Sequence, residues 1–175
     1  MEVLASVAWS ACTLEVVRGD LLKLPVDAIV NAANGRLAHG GGVAAIISRA
    51  AGHALQEECD LLVEQKGPFP TGSAVVSTAG KLPFKGVIHA VGPRHGEGDE
   101  ERKLERALVA AFALARERGW RTVAFPAVSA GIFAVPLDVC ARAYAAAARK
   151  SALSKVVLCL RDQPVIDAVL KELKV

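Results

Sequence analysis

The 175-residue sequence predicts one α/β domain over residues 1–175, a three-layer α/β/α sandwich around a mixed, largely parallel sheet. Three observations carry that expectation. From Val87 onward, short apolar runs alternate three times with longer amphipathic segments, the order that a parallel sheet with crossover helices requires. Hydrophobic residues make up 53% and charged residues 22%, so the chain has the apolar surface to bury a full core instead of staying disordered. No linker, low-complexity segment or internal repeat divides it.

The elements follow in order. Thr13 to Val17 alternates as a strand does, and Gly19-Asp20 marks a turn at its end. Ala28-Ile29-Val30 is an uninterrupted apolar run, the pattern of a strand buried on both faces. A helical segment opens near Val43 and continues to Glu64, with a break at Gly52. Ala74 to Ser77 and Val87 to Val91 read as strands joined through Lys81-Leu82-Pro83-Phe84, and an antiparallel or mixed edge is expected among the early strands. Asp99 to Gly119 is the best-marked helix: Asp99, Glu100 and Glu101 open it, Arg116 and Arg118 close it, and each end complements the helix dipole. Strand Thr122 to Phe125, a helix from Pro136, strand Val156 to Leu160 and helix Val165 to Leu173 complete the chain.

Composition excludes several function classes. Twenty-one Lys+Arg against 18 Asp+Glu leave a net charge of +3, and aromatic residues are only 5%, a poor basis for a basic, base-stacking nucleic-acid platform. Glu2 stands where a signal peptide needs basic residues, and the longest apolar stretch, Ala107 to Ala115, is about half of the roughly 20 residues of a membrane span. A soluble, cytoplasmic monomer is expected. Cys12, Cys59, Cys140 and Cys159 lack zinc spacing and read as buried thiols of a reducing compartment. His39, His53, His89 and His95 show no HxH or HExxH relation, so no metal site is expected; His89, inside an apolar strand, reads as a hydrogen-bonded core histidine.

Four segments fall at strand ends: Gly19-Asp20-Leu21, Asn31-Ala32-Ala33-Asn34, His39-Gly40-Gly41-Gly42-Val43 and Ser129-Ala130-Gly131-Ile132-Phe133. Ligands of open α/β sheets bind beyond the carboxyl ends of the strands. Two of these segments are small-residue loops leading into helices, where backbone N–H groups and the helix dipole favour an anion, and two such loops on one crevice suit a diphosphate. Asp20 is placed to accept from an exocyclic amine such as adenine N6, and Asn34 offers donor and acceptor to ribose hydroxyls. Each also has a plain reading as a turn former. Gly80-Lys81 fails as a P-loop, because Val75 and Leu82 occupy the outer motif positions. Gly40 to Ala45 formally matches GxGxxA, yet about nine residues separate Val30 from Gly40, unlike a dinucleotide-binding turn.

Together, Gly19-Asp20-Leu21, Val26 to Asn34, His39 to Val43, His89-Ala90-Val91-Gly92-Pro93 and Phe125 to Phe133 resemble the macrodomain family over nearly the whole chain. The resemblance implies a three-layer fold that binds ADP-ribose in a cleft at the strand ends. On that resemblance Asp20 reads the adenine amine beside Leu21, and Asn34 contacts the distal ribose. Gly40, Gly41, Gly42 and Val43 lie against that ribose and its phosphate. The amides of Ser129, Ala130, Gly131, Ile132 and Phe133 hold the diphosphate, and the Phe133 ring packs on the distal ribose. The implied partners are ADP-ribose, mono-ADP-ribosylated proteins and poly(ADP-ribose) ends, with no cofactor.

Two positions depart from the family pattern. Ala44 stands where one hydrolase branch has an aspartate that helps activate water, so a carboxylate base is missing there. Arg161, in Leu160-Arg161-Asp162, occupies the place where relatives put an aromatic against adenine; its guanidinium either stacks on the base or points to solvent. A binding module is the leading expectation. The alternative is a hydrolase that releases ADP-ribose from acidic side chains or related esters, with Asn34, Gly42 and Phe133 at the reacting centre and His39 structuring its loop. A nicotinamide-dependent oxidoreductase is the more remote reading.

Overall fold

The computed structural model describes residues 1–175 and contains seven strands and five helices. In chain order these are β1 (Glu2–Ala8), β2 (Thr13–Arg18), β3 (Ala28–Ala33), α1 (Gly42–Ala51), α2 (His53–Lys66), β4 (Ala74–Ser77), β5 (Gly86–Val91), α3 (Glu100–Glu117), β6 (Thr122–Phe125), α4 (Leu137–Lys150), β7 (Lys155–Leu160) and α5 (Gln163–Leu173). They build one sheet in the order β1-β2-β7-β6-β3-β5-β4. The five interior strands are parallel, and β1 and β4 pair antiparallel at the two edges. The mixed, largely parallel sheet expected from the sequence is present.

β1 has no counterpart among the expected elements. None of its residues is buried, and its register shifts between Val3 and Ala5 where it pairs with β2, so it carries no clean alternation. Leu4 and Ala5, neighbours in sequence at that shift, both pack against the core, so period-two alternation does not mark the strand. Met1, at its head, packs beside Gly19.

Period-two alternation distributes the interior strands between two cores. On β3, Ala28 and Val30 join the cluster under α3, α4 and α5, whereas Ile29 and Ala33 join the cluster under α1 and α2. The first cluster holds Leu104, Leu108, Phe125, Tyr144 and Ile166, each of which contributes about 1.5–3 kcal/mol by leaving water. α4 lies between α3 and α5, and its buried Ala141, Ala143, Ala145, Ala147 and Ala148 permit close approach to its neighbours. All four cysteines are free and buried, as expected. No helix is long and apolar enough to cross a membrane.

Because β2, β3, β5, β6 and β7 run parallel, their carboxyl ends open on one edge of the sheet. Gly19-Asp20, Asn34, Gly92-Pro93, Pro126-Ala127 and Arg161-Asp162 therefore arrive together although they are far apart in sequence.

Candidate functional site

The first loop leaves β3 through Asn34. The Asn34 Oδ1 accepts from the amides of Arg36 and Ala38, both at 3.1 Å, and its Nδ2 donates to the Ala38 carbonyl at 2.8 Å. These bonds shape the turn and use both lone pairs of the oxygen, so the expected donor-and-acceptor role narrows to one remaining N–H. Leu37 adopts φ 50° and is fully buried, pinning the turn to the core. Gly42 follows at φ 58°, a left-handed conformation that suits glycine, and opens α1. The amides of Gly42, Val43 and Ala44 donate to no acceptor in the chain, as befits a first helical turn. They carry the positive end of the helix dipole.

The second loop follows β6 and is tied down at three points. The Tyr144 hydroxyl donates to the Val128 carbonyl at 2.6 Å, the Ser129 hydroxyl to the Pro93 carbonyl at 2.7 Å, and the His95 amide to the Phe133 carbonyl at 2.7 Å. So held, Ser129 and Ala134 sit at φ 68° and 56°. The amides of Gly131, Ile132 and Phe133 donate to no acceptor in the chain. Ala130 departs from the expected set, since its amide is spent on the Ala127 carbonyl at 3.2 Å, and the Ser129 side chain anchors the loop instead of facing the cleft.

The two loops meet. Ile132 is 83% exposed, yet its Cδ1 lies over the glycine run, 3.8 Å from where a side chain on Gly41 would begin. Phe133 is half-buried beside it, with the Arg94 guanidinium carbon 4.8 Å from its ring centroid.

At the other end of the cleft, Asp20 caps a short 3-10 turn, Leu21–Lys23, by accepting from the Leu22 amide at 3.0 Å. Arg161 donates from Nε to the Gly19 carbonyl at 3.3 Å and brings Nη2 to 3.8 Å from Asp20 Oδ1. Its side chain is 70% exposed and leans along the rim as the partner of Asp20. The pair is exposed and contributes about 0–1 kcal/mol. Beneath it opens a cleft of about 210 Å³ lined by Gly19, Leu21, Val43, Pro126, Arg161 and Val165.

Behind the first loop lies a buried polar cluster that motif spacing does not reveal. Asn31 and His89 face each other across the β3–β5 register, both wholly buried on the α2 side. Asn31 Nδ2 is 3.0 Å from His89 Nδ1 and 3.4 Å from His39 Nδ1, and the two imidazole rings stack with centroids 5.2 Å apart. His89 Nε2 meets Ser77 Oγ at 2.7 Å and Cys59 Sγ at 3.6 Å. Donor atoms of His39, Cys59 and His89 thus lie within 4.8 Å of one another. The rings are stacked, not convergent, and His89 Nε2 is engaged with a hydroxyl, so the grouping is a hydrogen-bond network. Burial, with His39 adding to it, holds the His89 pKa down at about 3; burial also lowers His39, outweighing the Asp60 carboxylate. The available signal was one polar residue in each of two apolar strands at matching register.

Comparison with known proteins gives one family. The Macro domain profile matches residues 30–144. An uncharacterized protein of Saccharolobus solfataricus is 44% identical over 156 residues, 87% of either chain. The O-acetyl-ADP-ribose deacetylase of Salmonella gallinarum is 50% identical over 125 residues, 70% of either chain. Among solved structures, an Oceanobacillus iheyensis macrodomain variant with ADP-ribose superposes with a TM-score of 0.89 at 27% identity, covering 97% of this chain and 96% of that one.

Proposed function

The chain belongs to the Macro domain family, and on that footing we propose that its cleft binds ADP-ribose, both free and as the mono-ADP-ribosyl mark on proteins. The observation that carries the reading is the pair of facing loops whose amides, Gly42 to Ala44 and Gly131 to Phe133, find no acceptor within the chain. Backbone amides and a helix dipole neutralise a diphosphate without a lysine patch, in keeping with a net charge of only +3.

The ligand then runs along the strand ends. Adenine enters the cleft between Leu21, Val43, Pro126 and Val165, its amine donates to Asp20, and Arg161 closes the rim. The diphosphate spans the two loops under Ile132. The distal ribose meets Gly40, Gly41, the remaining Asn34 N–H and the Phe133 ring, at the exposed end where an attached protein can be accommodated. A poly(ADP-ribose) end presents the same terminal unit.

A second reading, hydrolysis at this site, is favoured by the similarity to an O-acetyl-ADP-ribose deacetylase. Ala44 is buried and supplies no base, so a ligand phosphate takes that role: for a carboxylate linked at the anomeric carbon, water held at the glycine loop attacks that carbon, its proton passes to the phosphate, and the carboxylate leaves. Calorimetry with ADP-ribose and NAD tests the binding reading; no ADP-ribose binding, or tighter binding of NAD, overturns it. A glutamate-linked mono-ADP-ribosylated protein tests turnover. Loss of the label with wild type but not with Asn34→Ala, while that variant still binds, establishes hydrolysis, and a retained label with intact binding leaves a binding module.

A further inference from the structure

We propose that His39 is a positioning residue of this site: a neutral imidazole, tied to Asn31 and stacked on His89, holds the Gly40–Gly42 loop in its ligand-ready form, and a protonated one releases it. The inference rests on the ADP-ribose reading of that loop.

The Ser77 hydroxyl donates to the Thr78 carbonyl at 3.0 Å, which spends its one hydrogen. Toward His89 it therefore accepts, and the imidazole carries its proton on Nε2, 2.7 Å away. A neutral imidazole with Nε2–H has an acceptor at Nδ1, and Asn31 Nδ2 donates to it at 3.0 Å. The second hydrogen of the same amide points to His39 Nδ1 at 3.4 Å, so His39 also accepts there and holds its proton on Nε2. One direction of donation runs from Asn31 to both rings and fits two neutral histidines, at the cost of leaving His39 Nε2 and Asn31 Oδ1 buried without a partner.

A proton added to His39 Nδ1 would face the Asn31 N–H, donor against donor, in a buried site. The titratable groups facing His39 are His89 on β5 and Cys59 and Asp60 on α2, and the attraction of Asp60 is weaker than the cost of burial. Leu37 and His39 are the last two anchored side chains before the helix. After them Gly40, with open space around it, and Gly41, touched only by Ile132, have no side chain with which to hold a conformation. The direction of the loop amides therefore depends on His39.

The test is ADP-ribose calorimetry from pH 8 to pH 5 on wild type, His39→Asn and His39→Leu, with thermal unfolding of each at every pH. Asparagine places an oxygen acceptor where Nδ1 stands but takes up no proton. Wild-type affinity is expected to be level above pH 6.5 and to fall as pH drops toward 5 and His39 takes up its proton, by up to about three- to tenfold, the worth of one hydrogen bond. His39→Asn should match wild type at pH 8 and stay level; His39→Leu should be weaker by that factor at every pH. Equal affinity for His39→Leu and wild type, or the same pH profile for His39→Asn and wild type, overturns the proposal. Imidazole nitrogen NMR on the unliganded protein tests the network without any ligand: Nε2–H tautomers at both histidines at pH 7 are expected, and Nδ1–H or a charged ring at either overturns it. Absence of ADP-ribose binding at pH 8 would sink the ligand reading alone and leave the tautomer result to decide the network.

Discussion

The side chain of Ser129 stands in the space that any side chain at Gly92 would need, and its hydroxyl reaches the Pro93 carbonyl beside it at 2.7 Å. The second loop is thereby keyed to the end of β5. Ser129 is 5% exposed and holds φ 68°, a conformation it keeps because Pro93, Val135 and the loop around it fix both ends.

Gly92→Ala drives a methyl group into Ser129. It is expected to destabilise the fold by about 1–3 kcal/mol and to weaken ADP-ribose binding, measured by urea unfolding and calorimetry. Ser129→Gly removes the nearer obstacle and suits the positive φ, while Val128 Cγ1 remains at 2.9 Å, so the double variant should recover part of the loss. Strict additivity of the two would contradict the keying.

Asp20→Ala is expected to weaken ADP-ribose binding by about 1.5–3 kcal/mol, as loss of a charge-assisted hydrogen bond does. Asp20→Asn keeps an oxygen for the Leu22 amide and should preserve the local turn while still losing the charge. Unchanged affinity in both variants would take Asp20 out of the site.

Arg161→Phe exchanges a guanidinium bound to the Gly19 carbonyl for a ring at the adenine end. Tighter binding, by about 0.5–1.5 kcal/mol, is the expected calorimetric result, since an aromatic pair gains that much beyond the area it buries. Weaker binding would show that the guanidinium itself contacts the ligand.

Burial of His89 makes folding stability depend on pH with a fixed sign. Its pKa is about 3 in the folded chain against an ordinary value of 6.5, so between those limits the unfolded chain binds a proton that the folded one refuses. Stability is complete above pH 6.5 and declines as pH falls toward 3, by about 3–5 kcal/mol in all. His89→Gln should lower stability at neutral pH yet flatten this stretch of the profile in urea unfolding. Parallel profiles would refute the assignment.

What was legible in the sequence was what side-chain pattern records. β3 and β5 were visible as apolar runs, and α3 was visible from Glu100 and Glu101 at its start and Arg116 in its last turn. β1 was not, because the register shift between Val3 and Ala5 breaks its alternation. Glycine spacing located both loops, but it could not say that Ala130 spends its amide on Ala127 or that Asn34 spends its oxygen on Arg36 and Ala38. Those bonds are settled by loop closure. The grouping of His39, Cys59, Ser77 and His89 depends on register between strands and on the docking of α2, and neither leaves a spacing motif.

The contact between Met1 and Gly19 decides how the protein should be attached to other things. Residue 1 lies at the Gly19–Asp20 end of the cleft, where adenine is proposed to enter, so a fluorophore there should report on nucleotide entry and a bulky group there should obstruct it. α5 starts beside Arg161 and carries the chain away for about 16 Å over its 11 residues. Immobilisation through the last turn of α5 therefore leaves the carboxyl-end edge of the sheet facing outward.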